Sequence, residues 1–240
     1  MTSIDPIRFT VPLYTVADAA RIVGVPTSTL ASWTQGYVRK FTDRPAVTGN
    51  SIVTHVAARG VRQPTIPFVG LAEAMFLAAI RRHRVPMQRI RPALRQLEAD
   101  IGVAYALASR KLYTDGAELL FDYGESHAGT EEARLVRNLV VVRNNQLVFV
   151  EAIQSYLRRI EYADDGYASL IRLPGYEHAK VVADPTRAFG APIFERGGVR
   201  IDDVLERFWT GEPLHELADE FGVPIDQLED VLRVASRRAA

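Results

Sequence analysis

Few residues in this chain are of a type and spacing that could support catalysis. The stretch GESHAG at Gly124–Gly129 has the outline of a nucleophile elbow around Ser126. That elbow needs glycine where this chain has Ala128, and a buried strand ahead of it; the sequence supplies neither. The five histidines, His55, His83, His127, His178 and His215, are scattered, with no pair at i, i+4 and no carboxylate at metal-binding spacing. Asp164 and Asp165 are adjacent carboxylates, but their context, DDGY, reads as a solvated turn rather than a metal pair. There is no glycine-rich phosphate loop. With no cysteine there is no thiol nucleophile, thiolate metal site or disulfide. The expectation is a protein that is not an enzyme and has neither metal nor cofactor.

The remaining chemistry is ionic. Residues 1–100 carry 13 Lys/Arg against 6 Asp/Glu, and residues 101–240 carry 16 against 23, so +7 in the first part is cancelled by −7 in the second. Nearly all the positive charge is arginine, lysine occurring only as Lys40, Lys111 and Lys180. A basic part joined to an acidic part suggests a polyanion partner for the first and a different partner for the second. No apolar run approaches the ~20 residues of a membrane span, and the start MTSIDPIRF has no basic end followed by an apolar segment. A cytoplasmic protein with no membrane partner is expected.

A repeated pattern indicates which elements position these charges. Ala20, Gly24, Val25, Pro26 and Leu30 recur with identical spacing as Ala218, Gly222, Val223, Pro224 and Leu228. In the first copy Val16, Ala19, Ala20 and Val23 fall at helical spacing behind a Thr15 N-cap. Gly24 is placed to stop that helix, and Pro26 to begin another that buries Leu30 and Trp33. Two short helices joined this way form a helix-turn-helix. Trp33 and Tyr37 read as core rather than as base-stacking residues.

Downstream, a small hairpin is expected within residues 44–68, with a turn at Thr48–Asn50 and a break at Arg59–Gly60. Two helices follow, hinged at Val85-Pro86. Leu71, Met75, Ala78 and Ile80 make the apolar side of one, and Ile90, Leu94, Leu97 and Ile101 that of the other. The arginine-rich string RRHRVPMQRIRPALRQ has two readings, phosphate contacts or a solvated helix face. KLYTDGAELLFDY is expected to be a hairpin turning at Asp115-Gly116, and GESHAGTEEA a polar linker. LVVVRNNQLVFV should form a second hairpin turning at Asn144-Asn145. A helix buried through Ile153, Tyr156, Leu157 and Ile160 comes next.

YTVADAARIVGVPTSTLASW, the hairpin and then RVPMQRIRPAL together resemble the DNA-binding domain of MerR-type regulators over the first ~125 residues. The resemblance implies that the second helix enters the major groove while a wing holds the adjacent backbone. It places Thr27, Ser28, Thr29, Ser32 and Thr34 on the groove-facing helix and its rim. Arg39, Lys40, Arg44, Arg59 and Arg62 become phosphate contacts. Where that family has arginine directly after the helix leucine, this chain has Ala31, which removes one such contact.

The C-terminal part carries Asp184-Pro185, Gly190-Ala191-Pro192, Gly198-Val199-Arg200-Ile201 and LHELADEFGVPIDQL. This string resembles a small bacterial domain that recurs in antitoxin-type proteins paired with PIN-fold toxins, and so the chain resembles VapB-type antitoxins. That family has threonine where this chain has Val199. The second helix-turn-helix presents Asp226, Gln227, Glu229 and Asp230, and residues 201–240 hold 10 Asp/Glu against 4 Lys/Arg. Phosphates repel such a surface.

The expected architecture is mainly α with small β-hairpins (α+β). Residues 1–125 form a winged helix-turn-helix, 126–165 a linker, hairpin and helix for dimerisation, and 166–240 the antitoxin-type unit. The resemblance implies an antitoxin that silences a PIN-fold (VapC-like) ribonuclease toxin encoded by a neighbouring gene. It would also repress its own operon as a homodimer on operator DNA. Since such nucleases hold acidic metal sites, Arg200, Arg237 and Arg238 are the residues an inhibitor would offer them. The alternative is a MerR-like regulator sensing a small molecule through Tyr156, Tyr162, Tyr167, Tyr176 and Phe189, which otherwise read as core residues.

Overall fold

The computed structural model describes residues 6–39, 42, 46–57, 60, 63–82, 86–143 and 146–239, with backbone alone at Arg39, Val47, Gln88, Ile90, Arg143, Val148, Arg238 and Ala239. The chain divides into two compact units, Met1–Ala168 and Ser169–Ala240. Short antiparallel sheets accompany many helices, the expected α+β class.

The first unit opens with α1 (Pro6–Phe9) and α2 (Val16–Val23). The Thr15 hydroxyl caps α2 by accepting from Asp18 N–H at 3.1 Å. Gly24 ends it in the left-handed conformation, φ 77 and ψ 40, returning its N–H to Ala20. Pro26 then leads into α3 (Thr27–Thr34), whose Leu30 and Trp33 are buried as expected. Strand β1 (Tyr37–Arg39) pairs antiparallel with β2 (Val47–Gly49), Tyr37 opposite Gly49. The wing hairpin therefore begins earlier than expected, and Thr48–Gly49 lies in a strand rather than a turn. The Trp33 carbonyl accepts from Ile52 and Val53 N–H, and Tyr14 bridges Ile66, so extended segments on both sides of the helix pair are stitched to it.

α4 (Phe68–Arg82) is buried without interruption from Phe68 to Ile80. The expected one-sided helix is thus a central pillar, packed against α1, α2 and elements further along the chain. Its buried Glu73 accepts from Thr54 N–H and the Thr54 hydroxyl. Burial pushes that carboxyl up to about 8 even though both bonds oppose it. α5 (Met87–Ile101) follows from Pro86; Val85 of the expected hinge lies outside the described residues.

Residues 111–123 are not a hairpin but part of α6 (Arg110–Ser126). Leu112, Gly116, Leu120 and Tyr123 share one buried face, and a Cβ on Gly116 would lie 3.1 Å from the Phe149 ring. The glycine serves close packing here, not a turn. The expected linker is the end of α6, a tight turn, and α7 (Glu131–Arg137), which Thr130 caps through Ala133 N–H. β3 (Val140–Arg143) and β4 (Gln146–Phe149) form the second hairpin, with Arg143 opposite Gln146; the turn residues Asn144 and Asn145 lie outside the described residues. α8 (Glu151–Leu157) buries Ile153, Tyr156 and Leu157, whereas Ile160 belongs to β5 (Ile160–Tyr162). Asp165 does sit in a turn, but it binds the Arg8 guanidinium instead of facing water alone. That bond is the main reason its carboxyl lies below the usual range.

In the second unit β6 (Ala168–Arg172), β7 (Val181–Ala183) and β8 (Ile193–Phe194) pair successively and antiparallel. α9 (Ile201–Trp209), α10 (Leu214–Phe221) and α11 (Ile225–Ala239) complete it.

Candidate nucleic-acid interface

α3 meets its surroundings through residues that sequence spacing separates into three layers. Leu30, Trp33 and Thr34 face inward. Thr29, Ala31 and Ser32 are half-buried, and Thr27 and Ser28 stand exposed on the first turn. Thr34 is therefore corrected: it is 1% exposed, and its hydroxyl donates back to Leu30 O at 3.1 Å, so it does not reach a groove. Ser32 likewise donates to Thr29 O at 2.7 Å. Of the expected phosphate contacts, Arg39 is placed by its backbone in β1. Lys40, Arg44, Arg59 and Arg62 lie outside the described residues.

Two arginines that the sequence reading left ambiguous hold this surface in shape. Arg91 is 7% exposed. Its guanidinium donates to Asn50 O and to Ser32 O, the latter at 3.3 Å, and stacks over Tyr37 with 5.3 Å to the ring centroid. A single planar cation thereby ties α3 to the strand it must move with. Burial lowers the Arg91 pKa, against the opposing effect of Tyr37, but an arginine remains charged. Arg81, in the last turn of α4, donates to the Thr29 hydroxyl at 2.8 Å. Spacing offered a clue to Arg91, since positions 91, 94, 97 and 101 fall on one helical stripe with three apolar neighbours. No such signal marks Arg81.

The arginine-rich string thus resolves residue by residue. Arg82 lies over the Tyr156 ring at 5.0 Å, and Arg89 pairs with Glu131. Arg95 is exposed, beside a cleft of about 320 Å³ that Tyr37, Asn50 and Arg91 also line. His83 and Arg84 lie outside the described residues.

The second helix-turn-helix repeats the backbone solution closely. Gly222 adopts φ 62 and ψ 30 and returns its N–H to Ala218, as Gly24 does to Ala20. Leu228 N–H reaches Pro224 O at 3.2 Å, as Leu30 N–H reaches Pro26 O at 3.2 Å. The exposed residues differ in kind: Asp226 stands where the first unit has Ser28, Glu229 where it has Ala31, and Ile225 where it has Thr27. Asp230, expected on that outer face, is fully buried instead. One of its oxygens accepts three successive backbone N–H groups, from Glu177 at 2.7 Å, His178 at 2.8 Å and Ala179 at 3.0 Å. Burial raises its pKa, but these bonds outweigh that and hold the carboxyl below the ordinary range.

The residues expected for partner contact sit at the surface where described. Arg200 is exposed at the N-cap of α9, 3.5 Å from Asp203, and Arg237 is exposed on α11. Arg238 is placed by its backbone only. Phe189 is not a core residue; it is the most exposed large apolar side chain among the described residues. A cleft of about 550 Å³ lies between α6, β4 and α8, and none of the five aromatics of the sensor reading lines it. No group of three or more His, Asp or Glu side chains among the described residues could hold a metal. No helix among them is long and apolar enough to cross a membrane.

A helix-turn-helix with a hydroxyl-bearing second helix and a following hairpin is the architecture of a DNA-binding regulatory domain. Residues 12–94 match the family described as "Putative DNA-binding HTH domain". The whole chain is 48% identical over 227 residues to "Putative antitoxin VapB45" of Mycobacterium tuberculosis (strain ATCC 25618 / H37Rv), covering 94% of this chain and 95% of that protein. The crystal structure of Rv2018 from the same species superposes with a TM-score of 0.83 at 45% identity, covering 94% of this chain and 99% of that one. A more distant relative, "Uncharacterized protein Rv2308", is 26% identical over 223 residues, covering 92% of this chain and 88% of that protein. The chain belongs to the family of VapB-type antitoxins.

Proposed function

We propose that this antitoxin neutralises a PIN-fold (VapC-like) ribonuclease toxin encoded beside it, and represses its own operon in the cytoplasm as a homodimer on operator DNA. The observation that carries this reading is the contrast between two matching helix-turn-helix units. One exposes Thr27 and Ser28 within the basic part of the chain, and the other exposes Asp226 and Glu229 within the acidic part. Polyanion binding draws its strength from Lys and Arg, so the DNA contacts belong to residues 1–125 and the toxin contacts to residues 166–240. Thr27, Ser28, Thr29 and Ser32 lie over the groove, with Arg39, Lys40, Arg44, Arg59 and Arg62 on phosphates. Arg95, beside the wing cleft, joins them. Arg200, Arg237 and Arg238 address the acidic pocket of the nuclease.

The test is co-expression of the full chain with the neighbouring reading frame, tagging the antitoxin alone. A stable complex that loses ribonuclease activity, together with a gel shift of the operon's own promoter, is the expected result. A chain that shifts its promoter but captures no nuclease would leave only the DNA-binding half of the proposal standing.

A further inference from the structure

Phe189 combines two properties that proteins seldom place on one residue. It is 80% exposed, and it sits in left-handed backbone. Ala188 at φ 46, Phe189 at φ 52 and Gly190 at φ 75 are three successive residues with positive φ. That region suits glycine, is disfavoured for alanine, and is a true outlier for a bulky side chain.

Strain of this kind persists where surrounding bonds over-determine it. Asp184 accepts from Thr186 N–H at 2.9 Å and from its hydroxyl at 2.7 Å. Arg187 N–H reaches Asp184 O, Gly190 N–H reaches Arg187 O, and Ala191 N–H reaches Ala188 O. The Arg187 guanidinium is drawn inward to Glu195 O at 3.4 Å, through space left by Gly198, where a Cβ would lie 2.6 Å from Arg187 Nη2. Hydrogen bonds thus brace the turn on both sides of Phe189, while the ring it displays is left facing water.

We propose that this turn is a pre-organised aromatic anchor for the toxin, with the Phe189 ring seated in an apolar pocket on the partner. The proposal rests on the antitoxin reading above and names the contact through which that reading operates. An aromatic displayed from an already formed turn spares the backbone ordering cost on docking, and buried aromatic anchors carry a large share of interface energy. Charge favours the same occupant. Residues 169–240 hold 13 Asp/Glu against 9 Lys/Arg, and a protein that binds RNA presents a basic surface to them.

Titration calorimetry of the purified neighbouring-gene toxin into the full-length chain tests this, with wild type, Phe189→Ala and Phe189→Gly compared. Both variants should weaken binding by about 30-fold or more, the loss of one strong anchor. Phe189→Gly should also raise Tm, because glycine occupies the left-handed region without strain; a damaged fold would lower it. Wild-type affinity in both variants overturns the anchor and leaves the antitoxin reading intact. No binding by the wild type overturns both. Variants that lose self-association in sedimentation while keeping toxin affinity would reassign the turn to a contact between copies and overturn the proposal.

Discussion

The two helix-turn-helix units share a backbone and differ in how they are fastened. In the first, cations reach in from neighbouring helices: Arg81 grips the Thr29 hydroxyl, and Arg91 grips the Ser32 and Asn50 carbonyls. In the second, the helix supplies its own anion, Asp230, and clasps the backbone of residues 177–179. Both turns rest on the same four residue types, a small alanine, a left-handed glycine, a helix-starting proline and a buried leucine. Fold is thus written in the apolar and turn positions, and the charges laid over them set the two surfaces apart.

Removing the shared leucine should produce the largest effect and test the equivalence directly. Leu30→Ala and Leu228→Ala each empty a fully buried site and should cost about 2–5 kcal/mol. Hydrogen exchange should show protection lost around residues 16–34 in one variant and 214–234 in the other, with promoter binding lost only in Leu30→Ala. Next in size is Arg91→Ala, which unties the wing strand from α3. A cost of about 2–3 kcal/mol and weaker promoter binding are expected. Arg91→Lys should not restore either, since an ammonium cannot bond two carbonyls and stack on Tyr37 at once.

The counterpart in the second unit is Asp230→Asn, with an expected loss of about 1–3 kcal/mol at pH 7 and unchanged DNA binding. The sign of its pH dependence follows from the lowered pKa. The carboxylate's contribution is present above its unfolded pKa of about 3.9 and is lost as pH falls through the folded value. Denaturant melts from pH 7 downward should therefore converge for wild type and variant on the acid side. Smaller still, Ser28→Glu should weaken promoter binding about tenfold, roughly 1.4 kcal/mol, by turning a carboxylate toward phosphates. The smallest effect is expected for Asp226→Asn with Glu229→Gln. Neutralising that face should confer no promoter affinity on the second unit, and a measurable gain would break the proposed division of labour.

Much of this was legible in the sequence, and the failures have physical causes. The repeat betrayed both helix pairs because Gly-Val-Pro punctuation is local chemistry that needs no tertiary context. Asp115-Gly116 misled because an aspartate-glycine step marks a turn only when nothing packs on the glycine; Phe149, far along the chain, packs there. Asp230 misled for a related reason. A carboxylate two residues after a buried leucine reads as solvent-facing until three unpaired N–H groups from a distant loop are brought to it. Phe189 looked like core because apolar residues usually are, and backbone strain cannot be read from residue type. In the candidate DNA-binding surface, exposure of Thr27 and Ser28 matched the spacing, whereas Arg81 and Arg91 behind them showed their role only once the Thr29 hydroxyl and the Ser32 and Asn50 carbonyls were placed.

α4 carries a consequence for how such a protein can be divided or inherited. Apolar from Phe68 to Ile80, it packs on α2 of the helix-turn-helix and also on α8, and Phe76 meets Phe149 edge-on at 5.8 Å. The stretch that matches a DNA-binding family ends at residue 94, but the hydrophobic seam does not. A chain cut there, or at 125, would bare the pillar on the side that α8 and the second hairpin cover. The reading head is therefore not a detachable cassette. It should melt, refold and be exchanged between genes together with everything up to residue 168, so recombination within this stretch would be punished where recombination beyond it need not be.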